Sequence, residues 1–143
     1  MSFTWIHENA PQWDESKDTI IGGAPEGSIH GLANYRAGDV IPGDWWHVEE
    51  DGAVVGYGWM DATWGDAEIL LVVDPAQQKR GVGNFILENL EREAAGHGLN
   101  YMYNVVSPTH PDREGITKWL SSRGFVRSHD DESLRRRVRA QAT

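Results

Sequence analysis

The chain contains no cysteine. That absence excludes disulfides, thiolate metal sites and a cysteine nucleophile together. Long apolar runs are missing as well: no stretch approaches the ~20 residues that a membrane-spanning helix requires. The opening residues lack the basic-then-apolar pattern of a secretory leader. A soluble, cytoplasmic protein with no membrane partner is therefore expected. Positive charge is scarce in the first half, where residues 1–78 hold fourteen carboxylates against Lys17 and Arg36 alone. Residues 79–143 reverse the balance, with eleven bases and eight acids. The net charge of −9 disfavours nucleic acid as a partner, and Arg135, Arg136, Arg137 and Arg139 read as a solvated terminal strand and tail. Repeats, low-complexity tracts and internal linkers are also lacking. One domain over residues 1–143 is expected, long enough to bury about two-thirds of its unfolded surface.

Two familiar phosphate loops are absent too. Nothing matches G-x-x-x-x-G-K-[ST], and the third glycine of a dinucleotide G-x-G-x-x-G falls on Ile86. What is present is Val72-Val73-Asp74-Pro75 followed by Gln78-Lys79-Arg80-Gly81-Val82-Gly83-Asn84. It reads as a buried strand, a tight glycine-bearing loop and the opening of a helix. Such an order aims unpaired backbone amides and the positive end of a helix dipole out of the sheet, a ready cradle for a pyrophosphate. Side chains in place of Gly81 and Gly83 would hold the phosphates off the backbone.

The spacing Gln78-x-x-Gly81-x-Gly83 resembles motif A of the GNAT superfamily, the acyl-CoA-dependent N-acetyltransferases, with its pattern [QR]-x-x-G-x-[GA]. Downstream order agrees. Val82, Phe85, Ile86, Leu90 and Ala94 give one apolar helical face, with Glu88, Glu91, Arg92 and Glu93 on the wet side and Gly96 and Gly98 as a stop. Residues 99–106 read as a strand and residues 113–123 as a second helix. The pair Gly124-Phe125 that follows is similar to the G-F that closes the family's motif B. The resemblance spans Glu68 to Val126 and implies an α/β (α+β) fold: a mixed central sheet with a β-α-β CoA-binding core. It also implies acetyl-CoA as co-substrate, bound along Leu71, Val73, Gln78, Lys79, Arg80, Gly81, Val82, Gly83 and Asn84. No metal is expected. The basic half near Lys79 and Arg80 would receive the phosphates, and the acidic first half would attract a cationic amine.

The first half is less regular. Residues 3–7 read as an opening strand, and residues 44–51 and 53–60 as a hairpin with a Glu50-Asp51-Gly52 turn; residues 67–73 follow as the next strand. Between Ala10 and Gly43, glycines and prolines interrupt every helical pattern. Only short pieces near Gln12–Lys17 and Ile29–Tyr35 are expected, so the family's N-terminal helices are reduced or absent. Six of seven tryptophans lie between Trp5 and Trp64. Trp45 and Trp46 must face opposite sides of a sheet, and one or two of the set are expected to line an acceptor cleft.

Aminolysis of a thioester needs a neutral amine, while a lysine-like amine with a pKa of ~10.4 is mostly charged at neutral pH. A carboxylate must remove the proton, a backbone N–H must stabilise the oxyanion, and the departing sulfur needs a proton. The resemblance implies a base at the start of the fourth strand, where Glu68 stands one residue closer to Val-Asp-Pro than in many members; Asp61 and Asp66 compete. The family's acid, a tyrosine four residues before the glycine of G-F, is replaced here by Leu120, beside Trp119. Tyr103 is the preferred substitute, with Tyr101, Ser107, His110 and water as alternatives. The reading is an N-acetyltransferase acting on a primary amine of a small molecule or amino acid. A non-catalytic acyl-CoA sensor, or one domain of a larger assembly, are the alternatives. Homodimer formation, the acceptor and the general acid stay open.

Overall fold

A computed structural model describes residues 2–21, 35–106, 110–128 and 133–139. Its elements run β1 (Thr4–Glu8), α1 (Glu15–Ile20), β2 (Asp44–Glu50), β3 (Ala53–Thr63), β4 (Asp66–Val73), α2 (Val82–Gly96), β5 (Tyr101–Asn104), α3 (Arg113–Ser121), β6 (Val126–Arg127) and β7 (Leu134–Arg137). The seven strands form one sheet in the order β1-β2-β3-β4-β5-β7-β6. All neighbours are antiparallel except β4 and β5, which pair in parallel through the α2 crossover. This is the mixed α+β sheet expected. Of the two short helical pieces, one is found as α1, starting three residues later than expected. Asp14 caps it by accepting from Lys17 N–H at 2.8 Å. The other, Ile29–Tyr35, lies outside the described residues apart from Tyr35.

The hairpin turns follow from their residues. Asp51 and Gly52 both have positive φ (52° and 80°), as a two-residue turn matched to strand twist demands. Gly56 and Gly58 let α2 lie on β3. A Cβ on Gly56 would come 2.9 Å from the Val72 carbonyl and 3.1 Å from Val82 and Ile86; on Gly58 it would meet Trp5 at 2.8 Å. The apolar stripe of α2 packs there, burying Val82, Ile86, Leu87, Leu90 and Ala94 with Met60, Ile69 and Met102. Helix α3 joins the same core through Leu120 and Ile116. Gly124 (φ 89°) turns the chain after α3, and the Phe125 N–H closes back to Leu120 O at 3.2 Å.

Helix α1 covers the opposite face at the β1–β3 end. Trp13, Ile20, Trp45 and Tyr57 form a second core there, so Trp45 and Trp46 do face opposite sides. Lys17, fully buried, holds α1 down: its Nζ lies 2.7 Å from Glu8 and 3.3 Å from Asp14. The same ammonium sits 5.5 and 5.1 Å from the ring centroids of Trp45 and Tyr57.

Two expectations are corrected. Glu91 is not on the wet side of α2; it is 2% exposed. Arg135, Arg136 and Arg137 are not a free terminal strand, because β7 lies inside the sheet between β5 and β6. The two facts have one cause: Glu91 pairs with Arg136 at 3.0 Å and Arg139 at 2.7 Å, clasping β7 to α2. The strand expected over 99–106 is shorter, ending at Asn104.

Candidate active site

The site has two ends joined by β4. At the C-terminal end, Asp74 N–H donates to Val55 O at 2.9 Å, at a bulge in β3 where the register skips Val55. The Asp74 carboxylate then accepts from Ala76 N–H at 3.0 Å, and Pro75 opens a single 3₁₀ turn, Pro75–Gln77. This is the physical content of the Val-Asp-Pro sequence: an aspartate turn and a proline at a first helical position redirect the strand into the loop. Lys79 (φ 65°) and Gly81 (φ 90°) are both left-handed, which winds Gln78–Gly81 into a concave turn of backbone amides. Gly81 precedes Val82 as an N-cap with no side-chain hydrogen bond, and the first turn holds no acid. The Phe85 N–H makes the first intrahelical bond, to Gly81 O at 3.0 Å. The amides of Val82, Gly83 and Asn84 therefore have no intrahelical acceptor.

The loop glycines differ in what they permit. A Cβ on Gly81 would meet nothing within 4 Å, so its positive φ is what selects glycine there. A Cβ on Gly83 would lie 3.3 Å from the Trp119 ring. Gln78 and Lys79 are exposed. Arg80 turns back instead: its guanidinium holds the buried Glu50 carboxylate through two 2.9 Å hydrogen bonds and also donates to Gln77. Glu50 raises the Arg80 pKa, and the pair fastens the loop to the β2–β3 hairpin. Sequence reading missed a second cation at this end. Arg123 stacks 4.0 Å over the Trp119 ring and donates to Asn84 Oδ1 at 2.5 Å. The partners are 39 positions apart, and no local pattern links them.

At the other end β4 and β5 separate. Their parallel register covers Asp66↔Tyr101, Ala67↔Met102 and Glu68↔Tyr103, and goes no further, although β4 continues beside β3 to Val73. The Ile69 carbonyl accepts the Asn104 side-chain amide at 2.8 Å, while Asp74 N–H faces β3. Backbone groups alternate along a strand. The N–H and C=O of Leu71 and Val73 therefore point away from β3, into the gap. A notched sheet results, its β4 edge open from Ile69 to Val73, roughly 13 Å at the usual ~3.3 Å per residue.

Glu68 and Tyr103 come together there. Asp61, Glu68, Tyr103 and Arg135 are in register across β3, β4, β5 and β7, and register partners share a face. That face is opposite the one on which Ile69 and Met102 pack against α2. Burial and then the charge of neighbouring Asp61 raise the Glu68 pKa. Burial, Glu68 and Asp61, in that order, raise that of Tyr103, with the Arg135 guanidinium 5.4 Å from its ring opposing them. Asp66 lies 3.6 Å from Arg135. Trp59, two residues before Asp61 on β3, shares this face, whereas Trp64 sits 98% exposed at the β3–β4 turn. Leu120 is 2% exposed in the core and carries no group that could transfer a proton. His110 Nδ1 accepts from Asp112 N–H at 2.9 Å, and Ser107 lies outside the described residues. Among the described residues no group of three or more His, Asp or Glu could hold a metal, and no helix is long and apolar enough to cross a membrane.

A mixed sheet parted between its two parallel strands, with an uncapped helix and glycine loop at one end and an acid–tyrosine pair at the other, defines an acyltransferase fold. The family model described as acetyltransferase (GNAT) family matches residues 7–125, and the chain belongs to that family. Solved structures agree on the fold. N-acetylglutamate synthase from Neisseria gonorrhoeae, in complex with coenzyme A and N-acetyl-glutamate, is similar at 18% identity and TM-score 0.72, covering 97% of this chain and 36% of that one. The chain thus spans about a third of the synthase's length. Ard1 from Thermoplasma volcanium gives 18% identity, TM-score 0.67 and 97% and 99% coverage of this chain and that one. The structure of yncA from Salmonella typhimurium, with its cofactor acetyl-CoA, gives 19%, 0.63, 100% and 98%. No curated protein matches.

Proposed function

We propose that this protein transfers an acetyl group from acetyl-CoA to a primary amine of a small molecule or amino acid. The observation that carries the reading is the in-register pair Glu68–Tyr103, held at the point where β4 parts from β5. Open amides at the start of α2 stand at the far end of the same strand. They suit a pyrophosphate, because they are unpaired, uncapped by any side chain and free of nearby acid. When bound, acetyl-CoA supplies the activated acyl carbon. Leu71 and Val73 hold the pantetheine arm by backbone hydrogen bonds, and Gln78 to Asn84 hold the phosphates.

Glu68 takes the proton from the incoming ammonium, and its raised pKa makes it a stronger base than an exposed carboxylate. As the amine nitrogen bonds to the acyl carbon, the Leu71 N–H donates to the oxygen that gains the charge. The carbon–sulfur bond breaks, Tyr103, kept protonated by burial and by Glu68, gives its proton to the sulfur, and the second proton, released from the nitrogen as it becomes the amide, restores the tyrosine. The test is release of CoA thiol from acetyl-CoA across a panel of amines and amino acids, with the acetylated product identified by mass. Tight CoA binding with no turnover on any amine would favour a CoA-binding sensor, the reading that burial of Leu120 in place of a tyrosine supports.

A further inference from the structure

The two parallel strands do not part for lack of residues. Chain is present on both sides, since β4 runs on to Val73 and Val105 and Val106 follow β5. A parallel ladder advances two residues per rung. After Glu68↔Tyr103, the Ile69 carbonyl would next receive the Val105 N–H, and the Leu71 N–H would bond the Val105 carbonyl. Instead the Asn104 side chain takes the Ile69 carbonyl at 2.8 Å. This donor can only be the amide nitrogen, because a carbonyl oxygen accepts.

We propose that Asn104 is a positioning residue that opens the fork between β4 and β5. By capping Ile69 O with a side chain, it stops the ladder one rung early and leaves the Leu71 N–H as the first unpaired amide facing the gap. It also keeps Ile69 O from competing for a donor in the place where the acyl carbonyl must lie. Without that side chain the Ile69 carbonyl would need the Val105 N–H as its donor, because a buried unpaired carbonyl is costly. Without Asn104 the cheapest remedy is to zip the strands. The fork's effect would be local: the phosphate-binding end, at Gln78–Asn84, lies beyond the end of β4 at Val73 and is fastened independently by Glu50–Arg80 and Asp74.

This inference rests on the acetyl-transfer reading for what occupies the fork, and its test separates the two. Asn104→Leu keeps the shape and removes the donor; Asn104→Gln keeps a donor and changes the length. Calorimetric Kd values are measured for acetyl-CoA and for adenosine 3′-phosphate 5′-diphosphate, its nucleotide portion without the pantetheine arm. The Leu variant should bind acetyl-CoA at least tenfold more weakly and the nucleotide within twofold of the parent. Its KM for acetyl-CoA should rise with kcat falling, and the Gln variant should recover part of both. A packing role would instead favour Leu over Gln. Unchanged acetyl-CoA affinity in the Leu variant, or equal losses for both ligands, would overturn the proposal while leaving the transferase reading standing. Failure of the parent protein to bind acetyl-CoA would remove both. Amide hydrogen exchange on the unliganded parent covers the case of a misfolded variant. Leu71 and Val105 N–H should exchange fast and Tyr103 N–H slowly, and protection of Val105 matching that of Tyr103 would overturn the wedge.

Discussion

Replacing Glu91 by glutamine should unfold this protein more readily than any other single surface-patterned change on α2. The carboxylate is 3% exposed and receives Arg136, 12% exposed, and Arg139, 66% exposed. Its hydrogen bonds with Arg139 run from 2.7 to 3.2 Å, including one from the Arg139 backbone N–H. Burial alone would raise the Glu91 pKa; the hydrogen bonds from Arg139 and the charges of Arg136 and Arg139 reverse that and hold it below the ordinary carboxylate range. Glutamine preserves shape and leaves the Arg136 guanidinium buried without a counter-charge. Removing one partner of a buried pair costs about 3–5 kcal/mol. Arg139 is largely solvated and adds little, so the low end applies. A loss of about 3 kcal/mol corresponds to about 6–12 °C in Tm for a domain near this size.

The sign of the pH dependence follows from the depressed pKa. Glu91 contributes its full stability above the unfolded value of ~4.3, and loses it as pH falls through the lower folded value. The gap in unfolding free energy between the parent and Glu91→Gln, read by urea denaturation, should therefore be constant at neutral pH and shrink in acid. A glutamine variant within about 0.5 kcal/mol of the parent at pH 7 would refute the clasp. So would a gap that widens as pH falls.

At the loop, Gly81→Ala strains a backbone at φ 90° and should weaken CoA several-fold in calorimetric titration. Gly83→Val should do more, by adding bulk against Trp119; unchanged affinity in both would end the phosphate assignment. Lys79→Ala should cost less than either, because an exposed contact to phosphate is screened by water and salt. Tyr103→Phe should lower kcat by about 10²-fold, the lower range for a lost proton donor, with CoA affinity intact. Full turnover in that variant would shift the acid to water.

The core of the fold was legible because the signals there are local. Val-Asp-Pro makes its own aspartate turn, Asp51-Gly52 its own hairpin, and the period of Val82, Ile86, Leu90 and Ala94 its own buried face. Glu68 and Tyr103 could be nominated separately, but only sheet register shows that they are neighbours. What was illegible depends on distant partners. Helical periodicity put Glu91 on the wet side because the pattern cannot register that β7, over forty residues later, brings two arginines to it. The pairing of Arg80 with Glu50, thirty positions back, is equally invisible to any local pattern. Asn104 carried no signal at all; its meaning comes from the carbonyl it caps.

The central claim is that Glu68 removes the proton from the acceptor amine. Its most direct test is the pH dependence of kcat/KM for an amine acceptor in the parent, Glu68→Gln and Asp61→Asn. Because burial and Asp61 raise the Glu68 pKa, the parent's acidic limb should lie above the ordinary carboxylate range, and Asp61→Asn should move it down. In Glu68→Gln the limb should vanish and the rate fall roughly 10²–10⁴-fold. The raised value also means that ionised Glu68 adds nothing to stability at neutral pH, so the Gln variant should melt no lower than the parent. A Glu68→Gln protein with the parent's rate and the parent's acidic limb would contradict the account.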